Sequence, residues 1–277
     1  MSYYKGKKVV VTGGSSGIGR SVALDLARRG ADVAIWARRQ TLLDATLEEL
    51  QGAAVSPTQR FVAVSVDVTD RMALKTAATQ TIEALGGLDV LVNNSGFAQP
   101  VPLDVLTDED IDQMTNVNYL GHVNVTRAFL PHFKAQGSGD ICNVTSMLGF
   151  MGFYGYTAYC GSKFAIVGFS EGLRQELLLY NVRVTVYYPP TTDTPGLLTE
   201  NKVKTPETWA IEGKATAYSS DDVARSLTRS IEKGRFTNMI GFSNWAIYYA
   251  HRFMPGVVRW VIDRDLRKHQ QKQLPPA

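Results

Sequence analysis

Cysteine is nearly absent from this chain, with only Cys142 and Cys160 in 277 residues. The two form no metal-binding or redox spacing, which excludes a zinc module and a dithiol redox centre. Cys142 lies in an apolar stretch and reads as a small core residue. An excess of charge of one sign is also missing: 29 basic side chains face 26 acidic ones, and the basic residues are scattered. That excludes the basic stripe of a nucleic-acid-binding surface. Uninterrupted apolar runs are too short for a membrane-spanning helix, and the opening Met-Ser-Tyr-Tyr-Lys-Gly-Lys-Lys leads straight into a strand with no secretory leader. The expected setting is therefore cytoplasmic and reducing.

What is present is the balance of a globular protein, 44% hydrophobic and 20% charged, with enough length for one large core. Short β-branched runs alternate with longer amphipathic ones. Strands are predicted at Lys8–Thr12, Asp32–Ala37, Phe61–Val66, Val90–Asn93, Gly139–Val144, Val182–Tyr188 and Asn238–Ile240. Helical patterns fill the gaps, among them Gly17–Arg29, Arg71–Leu85, Asp108–Lys134 and Thr157–Tyr180. This alternation predicts an α/β fold: a Rossmann-like doubly wound parallel sheet of about seven strands with helices on both faces.

Two local patterns carry chemistry. The first is Thr12-Gly-Gly-Ser-Ser-Gly-Ile-Gly19, a glycine-rich turn between a predicted strand and helix. Small residues let the backbone approach a pyrophosphate, and the helix N-terminus supplies N–H groups and positive potential. The spacing differs from the standard dinucleotide fingerprint, and by itself the turn reads equally well as a tight connection. The second is Tyr159 with Lys163 four residues on, thirteen residues after Ser146. On a helix the phenol and the ammonium share one face, where the cation would lower the phenol pKa and fit it for proton transfer. Ser146, at the end of an apolar strand, is placed to hydrogen-bond a substrate oxygen. Alone, the Tyr–Lys pair reads equally as two residues on a solvated face.

Taken together these motifs resemble the short-chain dehydrogenase/reductase family along most of the chain. Thr12–Gly19 is similar to its cofactor turn, with Gly13, Ser15, Ser16, Gly17, Ile18 and Gly19 at the phosphates. Asn93-Asn-Ser-Gly96 is similar to its Asn-Asn-Ala-Gly motif and places Asn94, Ser95 and Gly96 beside the cofactor. Ser146, Tyr159 and Lys163 match its catalytic residues, and Asn118, in Asn116-Val-Asn-Tyr-Leu-Gly121, matches the fourth. Pro189-Pro-Thr-Thr-Asp-Thr194 resembles the element after its sixth strand and brings in Pro189 and Thr194. Ser95 replaces the usual Ala and Pro190 the usual Gly, and the proline stiffens that loop and removes a donor. The resemblance implies one domain over residues 1–262 and a homo-oligomer, dimer or tetramer, joined through Asp108–Lys134 and Thr157–Tyr180. It also implies that Lys163 binds the nicotinamide ribose, that Asn118 positions a water linking Lys163 to solvent, and that Thr194 contacts the carboxamide.

The second predicted strand ends in Arg38 and Arg39, where an enzyme for NAD carries an acidic residue. Two cations there suit a 2′-phosphate, so NADPH is the expected cofactor, unless both arginines are merely solvated. Asp67 and Val68 resemble the family's adenine contact.

The run Val186–Thr208, with its double proline, resembles the corresponding segment of the 3-ketodihydrosphingosine reductases, which implies a long-chain lipid ketone as substrate. Another carbonyl reductase of the same fold, acting on 3-oxoacyl thioesters, steroids or xenobiotic ketones, is the alternative; a non-catalytic dinucleotide-binding protein fits less well, because Ser146, Tyr159 and Lys163 are all retained. A sphingoid substrate carries a free amine and calls for an acidic group facing the pocket, for which Asp193 and Glu200 are the candidates. Phe150, Met151, Phe153 and Tyr154 either line an acyl channel or pack a core or subunit contact. Residues 191–214 have the composition of a substrate lid. Residues 240–262, rich in aromatics and broken by His251, Arg252, Pro255 and Arg259, suit either a peripheral membrane contact or a cap on the core. Residues 263–277 form a polar tail expected to fray.

Overall fold

Val9 and Val11 of the first strand point into one helical layer and Val10 into the other, and all three are inaccessible to solvent. A strand covered on both faces has no polar side to present, which is why these strands read as unbroken apolar runs. The computed structural model describes residues 2–213 and 216–273. Its first half runs β1 (Lys8–Thr12), α1 (Gly17–Arg28), β2 (Asp32–Ala37), α2 (Gln40–Gly52), β3 (Phe61–Ser65), α3 (Arg71–Leu85), β4 (Val90–Asn93), α4 (Asp108–Thr115), α5 (Gly121–Gln136) and β5 (Gly139–Val144). Its second half runs α6 (Thr157–Leu177), β6 (Val182–Tyr187), β7 (Thr192–Asp193), α7 (Pro195–Asn201), α8 (Pro206–Glu212), β8 (Tyr218–Ser219), α9 (Ser220–Lys233), β9 (Thr237–Asn238), α10 (Phe242–Phe253) and α11 (Pro255–Gln273).

Seven strands form one sheet in the order β3-β2-β1-β4-β5-β6-β9, every pairing parallel. β7 and β8 make a separate parallel pair. The chain builds outwards from β1 to β3 and then returns to start again at β4. The crevice beyond the C-terminal ends of β1 and β4 is where such sheets bind ligands. One layer packs Leu24, Leu43 and Leu227 from α1, α2 and α9 against the sheet; the other packs Leu74, Phe129 and Leu173 from α3, α5 and α6. Trp36 crosses from β2 into the second layer, where its ring meets Phe129 at 5.1 Å and its Nε1 donates to Thr81 Oγ1 at 3.1 Å.

Some expected boundaries differ. The continuous helix expected over Asp108–Lys134 is divided by a π-helical turn, Asn116–Leu120, that turns Asn118 inward. An extra residue in one turn is invisible to a periodicity argument, because the apolar pattern resumes after it. The lid region folds as β7, α7 and α8, with residue 214 outside the described residues. Pro255 opens α11 instead of ending a segment, as its fixed φ allows in a first helical turn. The helix then runs to Gln273, through the stretch expected to fray; residues 274–277 lie outside the described residues.

Phe129→Ala removes a ring that bridges α5 and the sheet. A loss of about 3–5 kcal/mol is expected in a urea unfolding curve, and a loss below 1 kcal/mol would show that the second layer does not depend on it.

Candidate active site

The ends of β1 and β4 are clamped together. Thr12 Oγ1 accepts from the backbone N–H of Asn94 at 2.9 Å and of Ser95 at 3.2 Å, while Asn94 Nδ2 donates to the Thr12 carbonyl at 3.1 Å. The turn that follows fits closely under Asn94. A Cβ on Gly19 would stand 2.3 Å from the Gly13 carbonyl oxygen and 2.5 Å from Asn94 Nδ2, so no side chain can be accommodated there. Gly13 adopts φ +65° and Gly17 φ +53°, in the left-handed region. Ser16, the N-cap of α1, makes no capping hydrogen bond and the first turn holds no acidic side chain. By contrast, Asp70 and Thr107 cap α3 and α4. The first-turn N–H groups of α1 are thereby left to an external anion.

The turn also touches β2: Gly14 N–H donates to the Trp36 carbonyl at 3.2 Å, and Ser15 is buried with its carbonyl facing Thr46 Oγ1 at 3.5 Å. Arg38 and Arg39 follow β2 and are exposed. Arg38 lies 3.8 Å from the Asp67 carboxylate, which also accepts from the N–H and hydroxyl of Thr69 at 2.9 and 2.8 Å. Val68 is buried against the start of α5, where a Cβ on Gly121 would meet it at 2.7 Å. Sterically and electrostatically, these residues fit a dinucleotide.

Ser146 follows β5 and opens a 3₁₀ turn, its Oγ accepting from Leu148 N–H at 3.1 Å. Tyr159 and Lys163 lie one turn apart on α6, with Lys163 Nζ 5.6 Å from the Tyr159 ring centre. Lys163 is buried, and its ammonium donates to the Val144 carbonyl at 3.3 Å. A Cβ on Gly96 would stand 3.2 Å from that nitrogen and 3.1 Å from Asn118 Oδ1, so the glycine leaves room for both. The Asn118 side chain is fully engaged: it exchanges two 2.9 Å hydrogen bonds with the Phe97 backbone and donates to Ser162 Oγ at 3.1 Å.

Burial pushes the Lys163 ammonium down to about 8, partly opposed by Glu200. Burial also raises the Tyr159 phenol above its ordinary value; Glu200 adds to this and the Ser146 hydroxyl opposes it. The expectation of a lowered phenol pKa is therefore corrected: desolvation, with the Glu200 carboxylate, moves it upward.

Ser146, Tyr159, Ile18, Pro189 and Thr194 share the wall of one cleft of about 800 Å³, with Asn118 and Lys163 behind Tyr159. Thr194 closes over the glycine turn, 3.2 Å from where a Gly17 Cβ would stand, while its Oγ1 accepts from Leu197 N–H. The Pro189 carbonyl accepts from Met147 N–H at 3.2 Å and so ties the β6 loop to Ser146. Arg38, Arg39, Asp67 and Val68 stand apart from this wall, at the ends of β2 and β3. Of the four apolar candidates, Met151 and Phe153 line the cleft; Phe150 instead packs on Tyr188 and Tyr248, and Tyr154 has no place on the wall. Ser162 and His122 were not anticipated. Ser162 Oγ donates to the Tyr159 carbonyl at 2.7 Å, and buried His122 places Nε2 3.0 Å from the Ser95 carbonyl. Only their nearness to Lys163 and Asn118 in sequence hints at either.

The family model for short chain dehydrogenases matches residues 7–204. The chain belongs to the short-chain dehydrogenase/reductase family. It is 37% identical to a 3-ketodihydrosphingosine reductase of Mus musculus over 87% of this chain and 73% of that protein. It is 38% identical to a 3-dehydrosphinganine reductase of Danio rerio over 85% of this chain and 71% of that protein. The crystal structure of levodione reductase superposes with a TM-score of 0.77 at 22% identity, covering 85% of this chain and 96% of that one, which establishes the fold. A dinucleotide cofactor follows from family membership together with the glycine cradle.

A lysine whose pKa falls from 10.5 to about 8 on folding binds fewer protons in the native state than in the unfolded state between those values. Its contribution therefore makes stability rise with pH through that window. The unfolding free energy of the wild type minus that of Lys163→Met, measured by denaturant titration, should increase from pH 8 upwards. A flat difference would mean that Lys163 is not desolvated.

Proposed function

We propose that the protein reduces the 3-keto group of a long-chain sphingoid base, converting 3-ketodihydrosphingosine to dihydrosphingosine with NADPH. The observation that carries this reading is the grouping of Ser146, Tyr159 and Lys163 at a cleft with apolar walls, in a chain similar along most of its length to named reductases of that ketone. When bound, the cofactor supplies the hydride to the carbonyl carbon. Ser146 holds the carbonyl oxygen, and Tyr159 donates its phenolic proton to that oxygen, completing the alcohol. Burial keeps the phenol protonated at neutral pH, the state an acid requires. Lys163, with an ammonium pKa brought down to about 8, is suited to return a proton to the phenolate and to hold the nicotinamide ribose. Because the Asn118 side chain is occupied by Phe97 and Ser162, its placing of a water falls to main chain in the π-helical turn.

Arg38 and Arg39 supply the charge that favours a 2′-phosphate, with Ser15 and Ser16 nearby in the turn. No helix among the described residues is long and apolar enough to cross a membrane. Phe242, Phe253 and Trp260 are exposed on α10 and α11, beside the cations of Arg252, Arg259 and Arg264. This pattern supports a peripheral contact with a lipid surface, from which a long-chain ketone would be drawn. Exposed Phe164 on α6 supports a homo-oligomer through that helix.

Purified protein should oxidise NADPH faster with 3-ketodihydrosphingosine in liposomes than with an acetoacetyl thioester or an aryl ketone. Tyr159→Phe should lower kcat by about 10²–10⁴-fold while NADPH still binds. Turnover of the other ketones alone would refute the lipid assignment, and near-normal turnover by Tyr159→Phe would refute the catalytic one. Arg38→Asp combined with Arg39→Ala should move the ratio of kcat/KM towards NADH; an unchanged ratio would remove the arginines from cofactor choice.

A further inference from the structure

One carboxylate in the cleft stands without a cation. Glu200, at the end of α7, lines the same wall as Ser146 and Tyr159, and the Tyr156 hydroxyl donates to its Oε2 at 3.3 Å. Among the described residues no basic group is in ion-pair contact with it. The two lysines that share its field are held elsewhere. Lys204 is fully buried, paired with Glu212 at 2.7 Å and lying over the Trp209 ring at 4.8 Å. Lys163 is fixed on the Val144 carbonyl. Burial raises the Glu200 pKa, and Lys204 and the Tyr156 hydroxyl hold it back. Asp193, the other acidic candidate, is exposed on β7 and has no part in the cleft wall.

We propose that Glu200 recognises a substrate ammonium and selects ketones that carry a primary amine on the carbon next to the carbonyl. This rests on the ketoreductase reading given above. In such a ketone the nitrogen is two bonds from the carbonyl carbon, so an oxygen seated on Ser146 and Tyr159 brings the ammonium beside them. Glu200 shares that cleft: its hydrogen-bond partner Tyr156 packs edge-on against Tyr159 with ring centres 5.8 Å apart, and its charge is felt by both Tyr159 and Lys163. An arriving ammonium supplies the missing counter-charge. An acylated nitrogen leaves the carboxylate desolvated and unpaired, and the phosphates of a thioester carrier meet like charge.

The test is calorimetric titration of the NADP⁺-saturated protein with a medium-chain 2-amino-1,3-diol and with its N-acetyl derivative. The wild type should prefer the free amine by about 10- to 100-fold, the range of a charge-assisted hydrogen bond. Glu200→Gln should reduce that preference to near unity, and Asp193→Asn, exposed and off the cleft wall, should keep it. Retained NADP⁺ affinity shows that each variant is folded; if Glu200→Gln is not, Glu200→Asp should weaken the preference by withdrawing the carboxylate. A preference that survives in Glu200→Gln, or is missing in the wild type, overturns the proposal. Parallel NADPH oxidation separates the two readings. Selective amine binding without turnover of the amino ketone removes the reductase reading and leaves the ammonium site. Equal kcat/KM for the amino and deamino ketones removes the ammonium site and leaves the reductase.

Discussion

The Lys163 ammonium is the most demanding group in this fold, because it carries charge where water scarcely reaches. Desolvation lowers its pKa to about 8, so the native state must hold it by geometry. Four features do so. The Val144 carbonyl at the end of β5 accepts from it, and Thr145 Oγ1 donates to the Lys163 backbone carbonyl at 2.9 Å. Gly96 has no side chain to crowd it, and Asn118 is swung inward by a π-helical turn to brace the loop beside it. They come from the ends of β4 and β5 and from the π-helical turn before α5, so the site exists only when these are assembled with α6.

The same desolvation governs Tyr159. A lysine beside a tyrosine is usually read as a device for lowering the phenol pKa, yet here burial and the Glu200 charge raise it. The phenol is kept as an acid, which suits delivery of a proton to a reduced carbonyl. Glu200 thus acts on two groups at once, favouring the Lys163 cation and disfavouring the Tyr159 phenolate, and it also presents its carboxylate to the cleft. A residue on a short helix after β7 is in this way coupled electrostatically to the chemistry on α6.

At the other end of the cleft, steric limits replace charge. Gly19 is held so close to Gly13 and Asn94 that a single Cβ would break the turn, and Thr12 ties that turn to β4 through three hydrogen bonds shared with Asn94 and Ser95. The clamp sits at the point where strand order reverses. The cofactor cradle and the catalytic helix are therefore positioned by one feature of sheet topology.

Much of this was legible before any coordinates. The β-branched runs and amphipathic stretches locate the strands and main helices, because burial on both faces of a parallel sheet demands an apolar run and helix packing demands a stripe. Thr12–Gly19 and the Tyr159–Lys163 spacing declare a turn and a shared helical face, since both depend on local geometry alone. Other features were not legible. Periodicity skips the extra residue that turns Asn118 inward, and composition does not distinguish Phe153 on the cleft wall from Phe150 in the core. Nothing in the chain order says that Glu200, rather than Asp193, faces Tyr159. The pKa directions of Tyr159 and Lys163 depend on how much water is excluded, and that is a property of the folded assembly. Local backbone preference and hydrophobic pattern are carried by the sequence itself; which side chains meet, and in what dielectric, is decided only when distant segments pack.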